Sequence, residues 1–295
     1  MGREENAAIF RDTEKMCRTH PRLKESIARS RAGQRLILEG DAVNVPPCGD
    51  AAEGRLVVSA KRSFEAASAY ARTMKTCVLN FASASNPGGG VVNGSSAQEE
   101  ALCRCSTLYF NLNTNEMWSG FYSPHRAARD PIHNDDAIYT PRVTVFKGDT
   151  AFPTTRPESD WYEVDVISCA APNLREHPSN QMNSGDGDRR IELPPDKLRA
   201  LHERRLARIL DIAAANGEEA VILGAFGCGA FCNDPRVVAA AAAAVVPRYR
   251  TRFKVIEFAV FCRPGDTRNY DAFKPLNNPS SANCPAPAQP SSALR

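Results

Sequence analysis

The sequence has no C-x-x-C pair among its ten cysteines and no histidines at matching offsets, which argues against a structural zinc framework. Long apolar runs are missing too. The longest, residues 237–246, is mostly alanine and about half of the roughly 20 residues a bilayer span needs. Charge of one sign is also scarce: 37 basic against 34 acidic residues leave a formal net charge of +3. That is too little for a nucleic-acid coat or a polybasic membrane clamp. The N-terminus has mixed charge where a secretory signal would place an apolar stretch, so an intracellular protein is expected, cytoplasmic or, in a eukaryote, nuclear. Several cysteines sit in apolar runs, Cys77, Cys169 and Cys262 among them, and are expected as buried free thiols of a reducing compartment.

What is present is an alternation of apolar strand-like segments with amphipathic helical ones. Polar helical residues fill the first thirty-odd positions, broken near His20-Pro21 and closing by Gly33, with a short strand at 35–39. Strands are expected at 55–59, 76–81, 137–146, 162–170, 220–225 and 255–261. Helices are expected at 63–74, 97–109, up to 216–217, after Asp234-Pro235 and at 269–273. Residues 111–136 read as loop, and 176–190 as a polar insertion. The run 197–208, rich in Arg, Leu and Ala, reads as a solvated helix face. Strands that alternate with helices make an α/β sandwich around a mixed, mainly parallel sheet. Three regions are expected: an N-terminal helical extension at 1–54 packed on the core, an α/β core at 55–274 and a disordered tail at 275–295.

Two glycine-rich loops each follow an apolar strand and precede a helix: Asn86-Pro87-Gly88-Gly89-Gly90, and residues 224–231. Ligands of open α/β sheets bind beyond the strands' carboxyl ends, where glycine lets backbone amides approach a phosphate. Neither loop is a P-loop, since no Gly-Lys-Ser/Thr follows. Seven residues after Gly90 come Gln98, Glu99 and Glu100, at the start of a helix. A local reading suits Glu99, because Ser96-Ala97-Gln98-Glu99 has capping-box spacing. That reading does not explain Glu100 or the triple glycine. His125, His133 and His177 lack metal-ligand spacing, and no metal or cofactor is expected.

Triple glycine, seven residues and then Gln-Glu-Glu resembles the signature of poly(ADP-ribose) glycohydrolases. The surrounding residues 80–90 and 224–235 look like the microbial type of that family, and the resemblance runs from roughly Arg55 to Phe273. It implies a three-layer α/β/α macrodomain-like sandwich that binds ADP-ribose, and an enzyme cutting ribose–ribose bonds from the free chain end. Such an enzyme reverses ADP-ribosylation, as in the DNA damage response. Glu100 then matches the catalytic carboxyl, and Glu99 a residue orienting the ribose, with Gln98 shaping the same site. Gly88, Gly89 and Gly90 match the loop close to the substrate. Gly227, Cys228, Gly229 and Ala230 match the loop that cradles the diphosphate, and Phe231 an aromatic residue against the ligand. Asn80 and Ser83 match ribose contacts. The partners so implied are poly(ADP-ribose), ADP-ribose and poly(ADP-ribosyl)ated proteins, without a membrane or sequence-specific nucleic acid. Two alternatives stay open: a non-catalytic ADP-ribose-binding module, and a hydrolase of single ADP-ribose units on protein or nucleic acid.

Overall fold

The computed structural model describes residues 2–48, 51–181 and 184–277. Pro21 supplies a fixed φ at the start of a helix, so the N-terminal segment splits into α1 (Arg3–Thr19) and α2 (Pro21–Gly33). Next come β1 (Arg35–Ile37), β2 (Arg55–Ser59), the single turn α3 (Ser63–Ala67) and β3 (Thr76–Phe81). The catalytic-signature segment forms α4 (Gln98–Cys105), and short helices α5 (Leu108–Leu112), α6 (Asn115–Met117) and α7 (Ser123–Ala128) follow, with a π turn at Trp118–Tyr122. The rest is β4 (Ala137–Val145), β5 (Tyr162–Cys169), α8 (Pro195–Ala215), β6 (Ala220–Leu223), α9 (Pro235–Val245), β7 (Val255–Ala259) and α10 (Arg268–Phe273). At α9 the side chain of Asp234 accepts from Arg236 N and Pro235 opens the helix, as the dipeptide predicts.

The seven strands form one sheet in the order β1-β4-β5-β3-β6-β7-β2. β5, β3, β6, β7 and β2 run parallel, while β4 and β1 are antiparallel additions at one edge. β3 lies in the middle and is buried along five of its six residues, which is why its sequence is apolar on both faces. Helices cover both faces. Ile209, Leu210, Ala242 and Phe273 from α8–α10 pack on one side; Phe10, Phe64, Leu102 and Leu108 from α1, α3, α4 and α5 pack on the other. Each such fully buried Phe or Leu is worth roughly 1.5–3 kcal/mol.

The N-terminal segment packs on the core through α1 and α2 and joins its sheet through β1. β1 pairs with β4, Phe10 is 1% exposed, and Thr13 Oγ1 donates to Arg104 O at 2.6 Å. Buried Lys147 ties α1 down through Asp12 (2.7 Å) and Ile9 O (3.2 Å). The expected helix 97–109 breaks at Ser106, which bridges to Val145, and the helix at 63–74 ends at Ala67 with turns beyond it. Residues 111–136, read as loop, hold α6, the π turn and α7, because Phe121 and Tyr122 find a buried site. The helix face at 197–208 is not wholly solvated: Arg205 is fully buried, its charge met by Asp135 at 2.7 Å and its other donors by Ile132, His133 and Ala170 carbonyls. Cys77 and Cys169 are buried thiols as expected, whereas Cys262 is half-buried just past β7. The tail expected from Pro275 starts with structure: Lys274–Asn277 forms a 3-10 turn, and Asn277 Oδ1 accepts from Val58 N at 2.6 Å. The remainder, 278–295, lies outside the described residues. No helix among the described residues is long and apolar enough to cross a membrane.

Candidate active site

The two glycine loops leave the carboxyl ends of β3 and β6, which are neighbours in the sheet, so both open into one crevice. That cleft has a volume of about 600 Å³, within the range of small-molecule sites. Its lining brings together Ser83, Gly89, Gly90, Gln98, Glu99, Glu100, Gly227, Gly229, Ala230 and Phe231, segments far apart in the chain.

α4 begins at Gln98 with Ala97 as N-cap and no side-chain cap, so Glu99 is not spent on a capping box. Its carboxylate turns inward and accepts from Ser83 N at 2.7 Å and Asn80 Nδ2 at 3.1 Å. Gln98 extends the strand pairing by side chain: Oε1 accepts from Phe81 N at 2.9 Å, and Nε2 donates to Leu79 O at 2.8 Å and Ser63 Oγ at 3.0 Å. This splice fixes the first turn of α4 to the end of β3. Glu100 Oε1 accepts from Gly90 N at 2.9 Å, while its Oε2 is buried and has no partner among the described residues.

Glycine is required where the loop passes between the two carboxylates. At Gly89, φ +57, a Cβ would lie 2.5 Å from Glu100 Oε1 and 3.2 Å from Glu99 Oε2. Gly88 turns away from the cleft, toward the Tyr109 ring and Cys103, and serves the loop's shape. Asn80 is wholly buried, and its Nδ2 donates to Glu99 Oε1 at 3.1 Å and to Ser168 Oγ at 3.0 Å, so it holds Glu99 from beneath.

Burial raises both carboxyls above the ordinary carboxylate range. Glu99 is pushed up to about 8, first by burial and then by the charge of Glu100, against the pull of the Ser83, Asn80 and Gly88 donors. The helix N-terminus and the Gly90 amide pull Glu100 down, but burial outweighs them. Glu99 accepts at both oxygens, whereas Glu100 accepts from Gly90 N at Oε1 and its buried Oε2 has no partner among the described residues.

The second loop forms the opposite wall. Gly227 (φ +77) is packed against Ala171 and Asn233, whereas a Cβ at Gly229 would meet nothing within 4 Å. Cys228 does not reach the cleft as a side chain; it is 1% exposed and packs in the core. The loop is clamped by Asn233, a residue the sequence reading passed over. Its Nδ2 donates to Pro172 O (2.7 Å), Gly227 O (3.1 Å) and Phe231 O (3.1 Å), and its Oδ1 meets His202 Nε2 at 2.8 Å. Burial lowers His202 to about 4, so the ring is neutral and donates its N–H to that oxygen. Arg175, whose guanidinium lies 5.4 Å from the centre of the Phe231 ring, also lines the cleft.

Other wall residues escaped notice because nothing in their local sequence marks them: Arg3 and Asn6 of α1, Arg62, Phe261 and Asn269. Phe261 is 44% exposed, with the Arg62 guanidinium 4.0 Å over its ring. None of the lining residues comes from 111–136, which packs behind the catalytic segment. Arg126 of α7 reaches the first loop from that side, bonding Asn86 Oδ1 at 3.2 Å and Ser184 Oγ at 2.6 Å. Among the described residues, no group of three His, Cys, Asp or Glu side chains is placed to hold a metal ion.

The profile of the microbial-type PARG catalytic domain matches residues 6–148, the stretch that carries Glu99, Glu100 and the triple glycine. Over that stretch the chain is similar to this family, and its fold agrees with the family's solved structures. Among solved structures, it is similar to poly(ADP-ribose) glycohydrolase from Thermomonospora curvata at 28% identity and a TM-score of 0.78, covering 92% of this chain and 98% of that one. The same glycohydrolase bound to the inhibitor ADP-HPD gives 28% identity and a TM-score of 0.75, covering 92% and 99%. The glycohydrolase of Deinococcus radiodurans in complex with ADP-ribose gives 27% and 0.68, covering 86% and 97%. A comparison with curated proteins gives no match. The family likeness begins within α1, well before Arg55, in keeping with the way α1 and β1 are built into the core.

Proposed function

We propose that this glycohydrolase cuts the ribose–ribose O-glycosidic bond of poly(ADP-ribose), with Glu100 as the acid and then the base. The observation that carries this is the Glu99–Glu100 pair at the cleft wall: both buried and raised in pKa, Glu99 hydrogen-bonded at both oxygens and Glu100 with a buried Oε2 that has no partner among the described residues. Glycoside cleavage passes through an oxocarbenium-like sugar and needs a carboxyl that can protonate the departing oxygen. Glu100 gives its proton to that oxygen as the bond from the anomeric carbon breaks. It then takes a proton from the water that adds to the same carbon. Glu99, held by Asn80 and the Ser83 amide, orients a ribose hydroxyl, and its carboxyl group stabilises the positive charge that develops on the sugar. Proton transfer of this kind contributes roughly 10²–10⁴-fold in rate.

The terminal ADP-ribose lies across the crevice, its diphosphate on the exposed backbone of Gly229 and Ala230, Phe231 against the ribose side, and the adenine against the exposed face of Phe261. The domain division implied is a single unit, with 1–54 serving the catalytic core at 55–274. Its partners are the polymer and the proteins that carry it, in an intracellular compartment. A site that closes on the terminal unit cuts from the free end. The wall that closes it, on the adenine side, is Arg62 with Phe261, since residues 111–136 do not line the cleft.

Incubation with purified poly(ADP-ribose) tests both statements. Free ADP-ribose is expected, and samples taken early contain the monomer as the main product. Absence of ADP-ribose would overturn the reading, and abundant free oligomers at early times would overturn the end-directed part of it.

A further inference from the structure

The first turn of α1 stands on the cleft rim for a reason that packing alone does not supply. Asn6 Nδ2 donates to Gly94 O at 3.1 Å, and α1 sits so close there that a Cβ on Gly94 (φ +76) would lie 1.9 Å from Arg3 O. Gly94 belongs to the segment that joins the glycine loop to Glu99 and Glu100, so Arg3 and Asn6 are fixed relative to the carboxylates. Asn6 is 2% exposed, it lines the cleft, and its Oδ1 has no partner. Arg3 is exposed at the same wall, and the neighbouring Glu5 carboxylate is taken by Gly2 N at 2.6 Å. Arg3, which has no ion-pair partner among the described residues, and Asn6, with its buried and unpaired Oδ1, thus line a cleft whose other wall is the second glycine loop.

We propose that Arg3 and Asn6 form a second subsite, for the ADP-ribose unit on the leaving side of the scissile bond. Arg3 takes the diphosphate of that unit by charge-assisted hydrogen bonds, and Asn6 Oδ1 accepts a hydroxyl of its ribose. The assignment rests on the glycohydrolase reading above, and it explains a preference the catalytic pair cannot supply. A polymer always has an anionic unit beyond the bond to be cut. A single ADP-ribose on a protein has none there, so the subsite favours polymer over mono-ADP-ribosylated protein.

The test is Arg3→Ala beside the wild type, on purified polymer and on ADP-ribose. The expected result is a KM for polymer raised about tenfold, the equivalent of one such contact, with kcat within about twofold. In the inactive Glu100→Gln background, Arg3→Ala weakens polymer binding by a similar factor and flattens its salt dependence, while calorimetry gives the same ADP-ribose affinity with and without the substitution. A residue that only packs α1 would shift ADP-ribose affinity and polymer affinity together. An unchanged polymer KM, or an equal loss for polymer and monomer, overturns the subsite. If the wild type itself releases no ADP-ribose from polymer, the glycohydrolase reading fails, and the subsite falls with it.

Discussion

Glu100 is a carboxyl held against its own preference. The amide of Gly90 and the start of α4 favour its charged form, yet burial beside Glu99 prevails. Since the proposed acid must carry its proton to act, and burial raises Glu100 above the ordinary carboxylate range, kcat/KM should hold above that range and fall as Glu100 ionises at higher pH. A pH–rate profile checks this; an acidic optimum falling off already near pH 5 would contradict it. The same shift has a stability sign. A carboxyl whose folded pKa lies above its unfolded one contributes stability that is full below the ordinary carboxylate range and is lost as pH rises through the folded value. Glu100→Gln removes one buried charge and relieves Glu99, so its Tm gain over the wild type should be larger near pH 9 than near pH 5. Equal gains at both would show that the pair is not raised. Glu99 and Glu100 were legible in the sequence from spacing. The capping-box reading of Glu99 was not upheld, because Asn80 and the Ser83 amide, reached only through the fold, offer it better partners than the helix terminus does.

At the level of elements, two loops of similar composition do different work at each glycine. Gly229→Val should fold with a Tm close to the wild type, since its Cβ enters open space, and should weaken ADP-ribose binding at least about tenfold by filling the cleft. Gly227→Val should lose stability instead, with φ +77 and a Cβ only 2.7 Å from that of Ala171. Calorimetry and thermal melts on the two variants distinguish them; unchanged affinity in a folded Gly229→Val would remove the loop from the site. Asn233→Ala should free the second loop from three carbonyl contacts and raise KM more than it lowers kcat, because the carboxylates are untouched. The glycines were readable from sequence because only they tolerate such turns. Asn233 was not, as its importance lies in carbonyls that converge on it from residues 172, 227 and 231. Phe261 and Arg62 were hidden for the same reason: they meet only because β7 and β2 are neighbours in the sheet.

For the whole molecule, the N-terminal helices are expected to unfold with the rest. Phe10 is 1% exposed and stacks edge-on with Tyr109 at 4.9 Å, so Phe10→Ala should cost about 3–5 kcal/mol in urea melts while the transition stays single and cooperative. A separate early transition for residues 2–33 would show an appended unit. Alternation of strands and helices was enough to read the sandwich and its mainly parallel sheet. It was not enough to show that β1 closes the sheet's antiparallel edge, since a three-residue strand has no periodicity to read. All of this architecture serves one carboxyl proton, and one comparison tests that most directly. Wild type and Glu100→Gln are given the same purified poly(ADP-ribose), with ADP-ribose release and ADP-ribose affinity measured on both. The account predicts release by the wild type, a loss of at least about 10²-fold in the variant, and ADP-ribose binding in both. Near-wild-type turnover by Glu100→Gln would contradict it.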